Sequence, residues 1–268
     1  MKKNWLLWTR RGVATVVFAL FFLAFVAGIA PIPELARFQV GPALVAGSVI
    51  FLGAILILTL LFGRAYCAAL CPLGITQDIL GALFGKTKRE PYPNYFWLRM
   101  LVLVAFIATL ATGNLFVFGL LDPYSAFGRV GRSLFAPIFD LGINIMALGG
   151  DIAGFPLLAR RETPFAGLPA FLAAFVTFAA LVFFVWKWGR VWCDYCPVGS
   201  ALGYLGKKSF LRTRLNRDKC VKCRRCEKVC SSGCVNINNG GIDNTRCVVC
   251  QKCVAACPTK ALTYGKTK

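Results

Sequence analysis

Long stretches without a charged residue alternate with short basic turns along most of this chain, and only its last sixty or so residues break that rhythm. An apolar run covers 12–30 and is preceded by Lys2, Lys3, Arg10 and Arg11. It is longer than the 7 to 15 residues usual for a signal-peptide core, so a signal-anchor helix is the expectation, with a cleaved signal peptide as its alternative. A second uncharged run, 40–62, is 23 residues long and sufficient to span a bilayer. Further spans are expected over 98–121, with Asn114 as an interior polar residue, and over 168–186. The segment 133–150 is moderately apolar but is interrupted by Pro137, Asp140, Asn144 and the Gly149-Gly150 pair. It is expected to be interfacial or re-entrant rather than a fifth crossing, because a charge at membrane depth is costly.

Charge then orients the spans. The chain carries 31 Lys and Arg against 11 Asp and Glu. The flanks 1–11, 63–97 and 187–268 are basic, whereas loop 122–167 holds four basic and four acidic residues and is neutral. By the positive-inside rule both termini are expected in the cytoplasm of a bacterium, with a multi-pass chain in its inner membrane. All six tryptophans, Trp5, Trp8, Trp97, Trp186, Trp188 and Trp192, fall at expected cytoplasmic ends. The stretch 207–219 carries six positive charges and one negative. It is read as an anchor on anionic lipid, with docking of an acidic partner as the alternative and no nucleic-acid partner expected.

The chemistry lies in the cysteines. From Cys220 the chain reads C-x2-C-x2-C-x3-C twice, as Cys220, Cys223, Cys226, Cys230 and then Cys247, Cys250, Cys253, Cys257. Three cysteines at that spacing wrap one cubane, and the fourth serves the other cluster of the pair. Cys220, Cys223, Cys226 and Cys257 are therefore assigned to one [4Fe-4S] cluster, and Cys247, Cys250, Cys253 and Cys230 to a second. Pro258 follows the last cysteine, but Ser231 stands where the first run would have its proline, and Cys234 is an alternative to Cys230. Structural zinc has no need of an interleaved double run, and disulfides would need an oxidising compartment. Histidine is absent. Haem with histidine ligands is thereby excluded, and electrons are expected to move through iron-sulfur centres, thiols or an organic carrier.

The remaining motif cysteines sit in an internal repeat. Gly63-Arg64-Ala65-Tyr66-Cys67 with Cys71-Pro72-Leu73-Gly74 matches Gly189-Arg190-Val191-Trp192-Cys193 with Cys196-Pro197-Val198-Gly199. Each copy follows a span of the same direction, so the two halves are expected to be parallel repeats about an axis along the membrane normal. Cys67, Cys71, Cys193 and Cys196 would then converge as ligands of a third iron or [2Fe-2S] centre, or as a thiol relay. Two unrelated turns with buried thiols are the bland alternative.

Four spans in two parallel repeats (1–206), two C-x(2 or 3)-C-P elbows, and a C-terminal bacterial-type two-[4Fe-4S] ferredoxin domain (207–268) resemble the NapH-type membrane ferredoxins. These are quinol dehydrogenase subunits of periplasmic nitrate reduction. Their relatives include the methylamine-utilisation membrane ferredoxin and the membrane core of the nitrous oxide reductase electron donor. The sequence departs from that pattern in the x2 spacing between Cys193 and Cys196 and in lacking proline after Cys230. The resemblance implies an α-helical membrane subunit that takes electrons from membrane quinol and passes them to other subunits of a redox complex. A membrane factor for metalloenzyme maturation or metal reduction is the alternative. The quinone pocket is expected where the loop 92–97 approaches the elbows.

Overall fold

The computed structural model describes residues 5–28, 34, 36–84, 94–152, 159–162, 167–238 and 241–266. Most of the chain is helical. Helix α1, Trp5–Phe22, continues through a wider π turn, Leu23–Ala27, and ends where Gly28 takes a left-handed φ of 63° and returns its N–H to Leu23. The expected second span is broken into α2, Val40–Val45, and α3, Val49–Phe62. Gly47 at φ 64° makes the break, since no side chain opposes that conformation. The expected third span also breaks, into α6, Phe96–Ala111, and α7, Leu115–Leu121. Here Gly113 at φ 70° turns the chain, and Asn114 caps α7 by accepting the Val117 N–H at 3.2 Å. Phe106 of α6 stacks on Phe118 of α7 with centroids 4.6 Å apart, so the two pieces run back along each other as a hairpin.

The segment expected to lie at the interface differs more. Helix α8, Pro123–Val130, runs through a π turn, Gly131–Phe135, into α9, Ala136–Ile152. The residues that argued against a crossing there are accommodated by particular contacts. The wide turn directly before Ala136 and Pro137 makes room for a residue that has no N–H to give the helix. Asn144 exchanges two hydrogen bonds with the Arg161 backbone, at 2.7 and 2.9 Å, and Arg161 pairs with Asp140 at 3.5 Å.

Among the described residues, three helices are long and apolar enough to cross a membrane: Trp5–Ala27, Pro123–Asp151 and Leu168–Trp188, the last being α10. Their outward faces are apolar, with Val16, Ile138, Leu141, Ile145 and Val176 each more than half exposed. Large apolar side chains arrayed outward on helices suit a lipid surround rather than water.

Two short helix pairs form the elbows. Helices α4, Ala65–Ala69, and α5, Pro72–Leu83, follow α3, while α11, Val191–Tyr195, and α12, Pro197–Gly206, follow α10. Pro72 and Pro197 open α5 and α12 at the first helical position, where a missing N–H costs nothing. The C-terminal segment adds β1, Leu211–Leu215, α13, Arg225–Val229, β2, Val235–Asn236, β3, Gly241–Ile242, α14, Lys252–Ala256, and β4, Leu262–Lys266. β1 pairs antiparallel with β4, so Arg212 and Arg214 belong to a strand of this segment. β2 pairs with β3.

This segment is seated on the elbows. Phe210 N donates to Leu60 O at 2.8 Å, Tyr264 Oη to Phe62 O at 3.0 Å, and Arg190 N to Ser231 O at 2.7 Å. Val248 and Cys250 pack in one buried cluster with Cys67, Cys71 and Cys196 of the elbows.

Candidate metal centres

Each C-x2-C-x2-C loop is wound the same way. Lys222 and Arg224 in the first, and Val249 and Gln251 in the second, hold positive φ between 53° and 62°. Non-glycine residues seldom sit there, and two per loop curl the backbone around the space that the three sulfurs enclose. Cys220, Cys223, Cys226 and Cys257 line one cavity together with Leu215, Ile237 and Leu262. Burial pushes the Cys226 thiol up to about 11.

Around the other loop, Cys230 lies close enough to Cys247, Cys250 and Cys253 to interact with them electrostatically. The Cys234 thiol, 3.4 Å away, and the backbone N–H groups of Cys234, Ser232 and Val235 lower the Cys230 pKa, while Cys234 is itself raised. Cys257 has the matching surroundings. Burial opposes its ionisation, but the N–H groups of Leu262, Ala261 and Thr259 and the Thr259 hydroxyl hold its thiol down. The two sites correspond residue for residue: Cys230 to Cys257, Ser232 to Thr259, Gly233 at φ 57° to Lys260 at φ 55°, and Cys234 to Ala261. Cys234 thus occupies the place of an alanine beside the second loop. Ser231, in the proline's place, is buried against the elbow through its bond from Arg190.

The elbows bring their four cysteines together. Cys67, Cys71, Cys193 and Cys196 line one small cavity with Tyr66, Gln77, Pro123 and Trp192. Cys71 and Cys196 each sit at the N-cap before the proline. The x3 and x2 spacings therefore serve one role, the extra residue being Leu70, whose carbonyl accepts from Gln39 Nε2 at 3.2 Å. Buried Gln77 donates to Cys193 Sγ at 3.2 Å. Burial raises the Cys71, Cys193 and Cys196 thiols, against Arg190 for Cys193, so a metal there must displace their protons. Among the described residues, no three ligating side chains already meet at the spacing of a single bound ion.

Each elbow arginine braces the opposite elbow. Arg190 Nη2 donates to Cys67 O at 2.7 Å and Gly74 O at 2.8 Å, while Arg64 Nη2 donates to Cys193 O. A Cβ on Gly74 would overlap Cys67 O and lie 2.7 Å from Arg190 Nη2, and one on Gly199 would overlap Cys193 O and lie 2.7 Å from Arg64 Nη2. The glycine of each C-P-x-G is thus the site of a close backbone approach.

Residues outside the motifs complete the frame. Asp194 pairs with Arg64 at 3.1 Å and with Arg246 at 2.9 Å. Asp78 joins Arg10, Arg190 at 3.5 Å and Lys252 at 3.1 Å. Burial alone would raise Asp78, but Arg190, Lys252 and Arg10 hold it well below the usual carboxylate range. These polar residues carry no spacing signal in the sequence.

A helical chain with apolar outward faces and two ferredoxin-type cysteine loops has the make-up of a membrane iron-sulfur protein. A 4Fe-4S binding domain model matches twice, over 44–90 and 169–218, and each match contains one elbow. A second 4Fe-4S binding domain model matches 241–263. The chain is 24% identical to YccM of Escherichia coli, whose name assigns it provisionally to electron transport, over 71% of this chain and 48% of YccM. It is 26% identical to the uncharacterized protein MJ0750 of Methanocaldococcus jannaschii over 66% of this chain and 62% of that one. It is 32% identical to the ferredoxin-type protein NapH of Haemophilus influenzae over 33% of this chain and 34% of NapH. These matches agree with the resemblance of its motifs to the NapH-type membrane ferredoxins. The chain spans between about a third and two thirds of the length of these relatives. No solved structure matches it.

Proposed function

We propose that this chain is an inner-membrane electron conduit that draws electrons from membrane quinol at the elbows and delivers them at the surface of its ferredoxin segment. The observation that carries it is contiguity: Cys250 packs in the same buried cluster as the elbow cysteines, whereas Cys223 is exposed at the far loop. Cys220, Cys223, Cys226 and Cys257 would hold one [4Fe-4S] cluster and Cys247, Cys250, Cys253 and Cys230 the other. With clusters bound there as one-electron carriers, a quinol gives up its pair as two single electrons and releases two protons to water. Cys67, Cys71, Cys193 and Cys196 would hold a third iron or [2Fe-2S] centre between quinol and the loop at Cys250, and four soft thiolates suit iron.

The protein's own part is positioning. The ion pairs at Asp78 and Asp194 clamp the loop 245–252 on the elbows and keep water from it. At the far loop Val221 is exposed among the exposed Lys222, Arg224, Arg225 and Lys228, a surface suited to an acidic redox partner.

The reading also fixes a topology. Arg10, Asp78 and Lys252 join the start of α1 to the ferredoxin segment, and the Ala27 carbonyl accepts from Arg161 at 2.6 Å at the other end. The helices at 5–27, 123–151 and 168–188 cross, the chain is back on the elbow side by Gln39, and 40–62 and 96–121 are hairpins that enter and leave on that side. The basic elbow side is cytoplasmic. Mixing anaerobic purified protein with quinol tests the function. The reduced clusters should give paramagnetic resonance signals, and their absence in protein that dithionite does reduce would refute the conduit.

A further inference from the structure

A cavity of about 480 Å³ lies between the α6–α7 hairpin, the end of α10 and the second elbow. Leu98 and Val102 of α6, Leu121 of α7, and Trp188, Trp192 and Cys196 form its walls. No charged side chain lines it among the described residues, and Tyr95 and Tyr195 are among its lining. Leu98 and Leu120 on its rim are 45% and 42% exposed, so it opens on the lipid-facing surface. An occupant must therefore come from the membrane, bring an apolar body, and need only a few neutral hydrogen-bond partners.

Two observations narrow the occupant. First, Trp192 and Cys196 line both this cavity and the cavity of the elbow cysteines, so a single wall separates an occupant from the four thiols. Second, the two elbows differ at this face. At the first elbow Tyr66 takes the position of Trp192 and is covered by α2, its hydroxyl donating to Gln39 Oε1 at 2.7 Å and accepting from Val40 N at 3.3 Å. The second elbow carries the open cavity. A neutral ring carrier beside redox thiols, in a chain without histidine, answers to both.

We propose that this cavity seats the ring of a membrane quinol, between Tyr95 and Tyr195 on one side and Trp192 and Cys196 as the wall toward the elbow thiols. This rests on the quinol reading above and adds the place and the residues. Full-length protein in detergent is titrated with decylubiquinone, binding is read as quenching of the native tryptophans, and iron content is checked in parallel. Val102→Phe fills the cavity, whereas Val104→Phe, on the same helix but 64% exposed and outside the cavity lining, is the control. Val102→Phe should weaken quinone binding about tenfold or more, equivalent to about 1.4 kcal/mol, with iron content unchanged and Val104→Phe like wild type. If Val102→Phe loses iron, Leu98→Phe is read in its place. Equal binding in wild type and in the filled variant would put the quinone elsewhere and overturn this site while leaving the quinol reading intact. Quenching that phosphatidylcholine abolishes would mark an acyl-chain groove and overturn it too. Wild type that neither binds decylubiquinone nor is reduced by its quinol would remove the quinol reading itself.

Discussion

Cys230 and Cys234 stand 3.4 Å apart, and only their surroundings tell them apart. Cys230 shares the N–H-rich pocket of Cys257, whereas Cys234 stands where the second loop has Ala261. Cys230→Ser should therefore remove the signal of the cluster held by Cys247, Cys250 and Cys253, and Cys234→Ser should leave both signals in place. Cys226→Ser and Cys257→Ser should disturb one and the same cluster, as iron content and paramagnetic resonance would show. Spacing alone named all eight loop cysteines but left that choice open, because it carries no information on which sulfur the backbone amides face. Gln77, Asp78, Asp194 and Arg246 were not legible at all. Each is a single polar residue whose partner lies far along the chain, and helical periodicity does not report such pairs.

The elbow is the element on which the fold turns, and its signature is readable because every position repeated between the two copies has a contact: glycine turn, reciprocal arginine, aromatic, thiols, proline and close-packed glycine. Gly74→Ala and Gly199→Ala should each destabilise the protein by about 1–3 kcal/mol, the usual cost of forcing a methyl into a filled site. Both should also spoil the elbow cavity, so metal bound beyond the eight irons of two cubanes should be lost first. Asp194→Asn leaves Arg64 and Arg246 buried without their shared carboxylate and should cost about 3–5 kcal/mol. Asp78 has the opposite pH signature to a raised group. Its clamp is complete above the ordinary carboxylate range and weakens only as pH falls toward its depressed value, so mild acid near pH 5 should leave protease resistance of the linker to the ferredoxin segment unchanged. The breaks at Gly47 and Gly113 were signalled by Gly-Ser and Gly-Asn. A lipid-facing hairpin is apolar on both limbs, so its hydrophobic pattern is that of one long span.

At the scale of the molecule, charge bias and the elbows point to the same sidedness, although 123–151, expected at the interface, is long and apolar enough to cross. A cytoplasmic reporter fused after Leu121 should be active, since the α6–α7 hairpin returns to the elbow side, and a periplasmic reporter after Arg160 should be active in turn. Activity of the periplasmic reporter after Leu121 would restore 98–121 as a span. In the proposed conduit the centres would follow one another from the elbows to the loop at Cys250 to the exposed loop at Cys223, and the elbow thiols would be indispensable for electrons that start in the membrane. The measurement that tests this most directly is paramagnetic resonance of the anaerobic Cys67→Ser, Cys196→Ser double variant after addition of quinol. Both cluster signals should appear with dithionite and neither with quinol. Reduction by quinol as complete and as fast as in wild type would contradict the account.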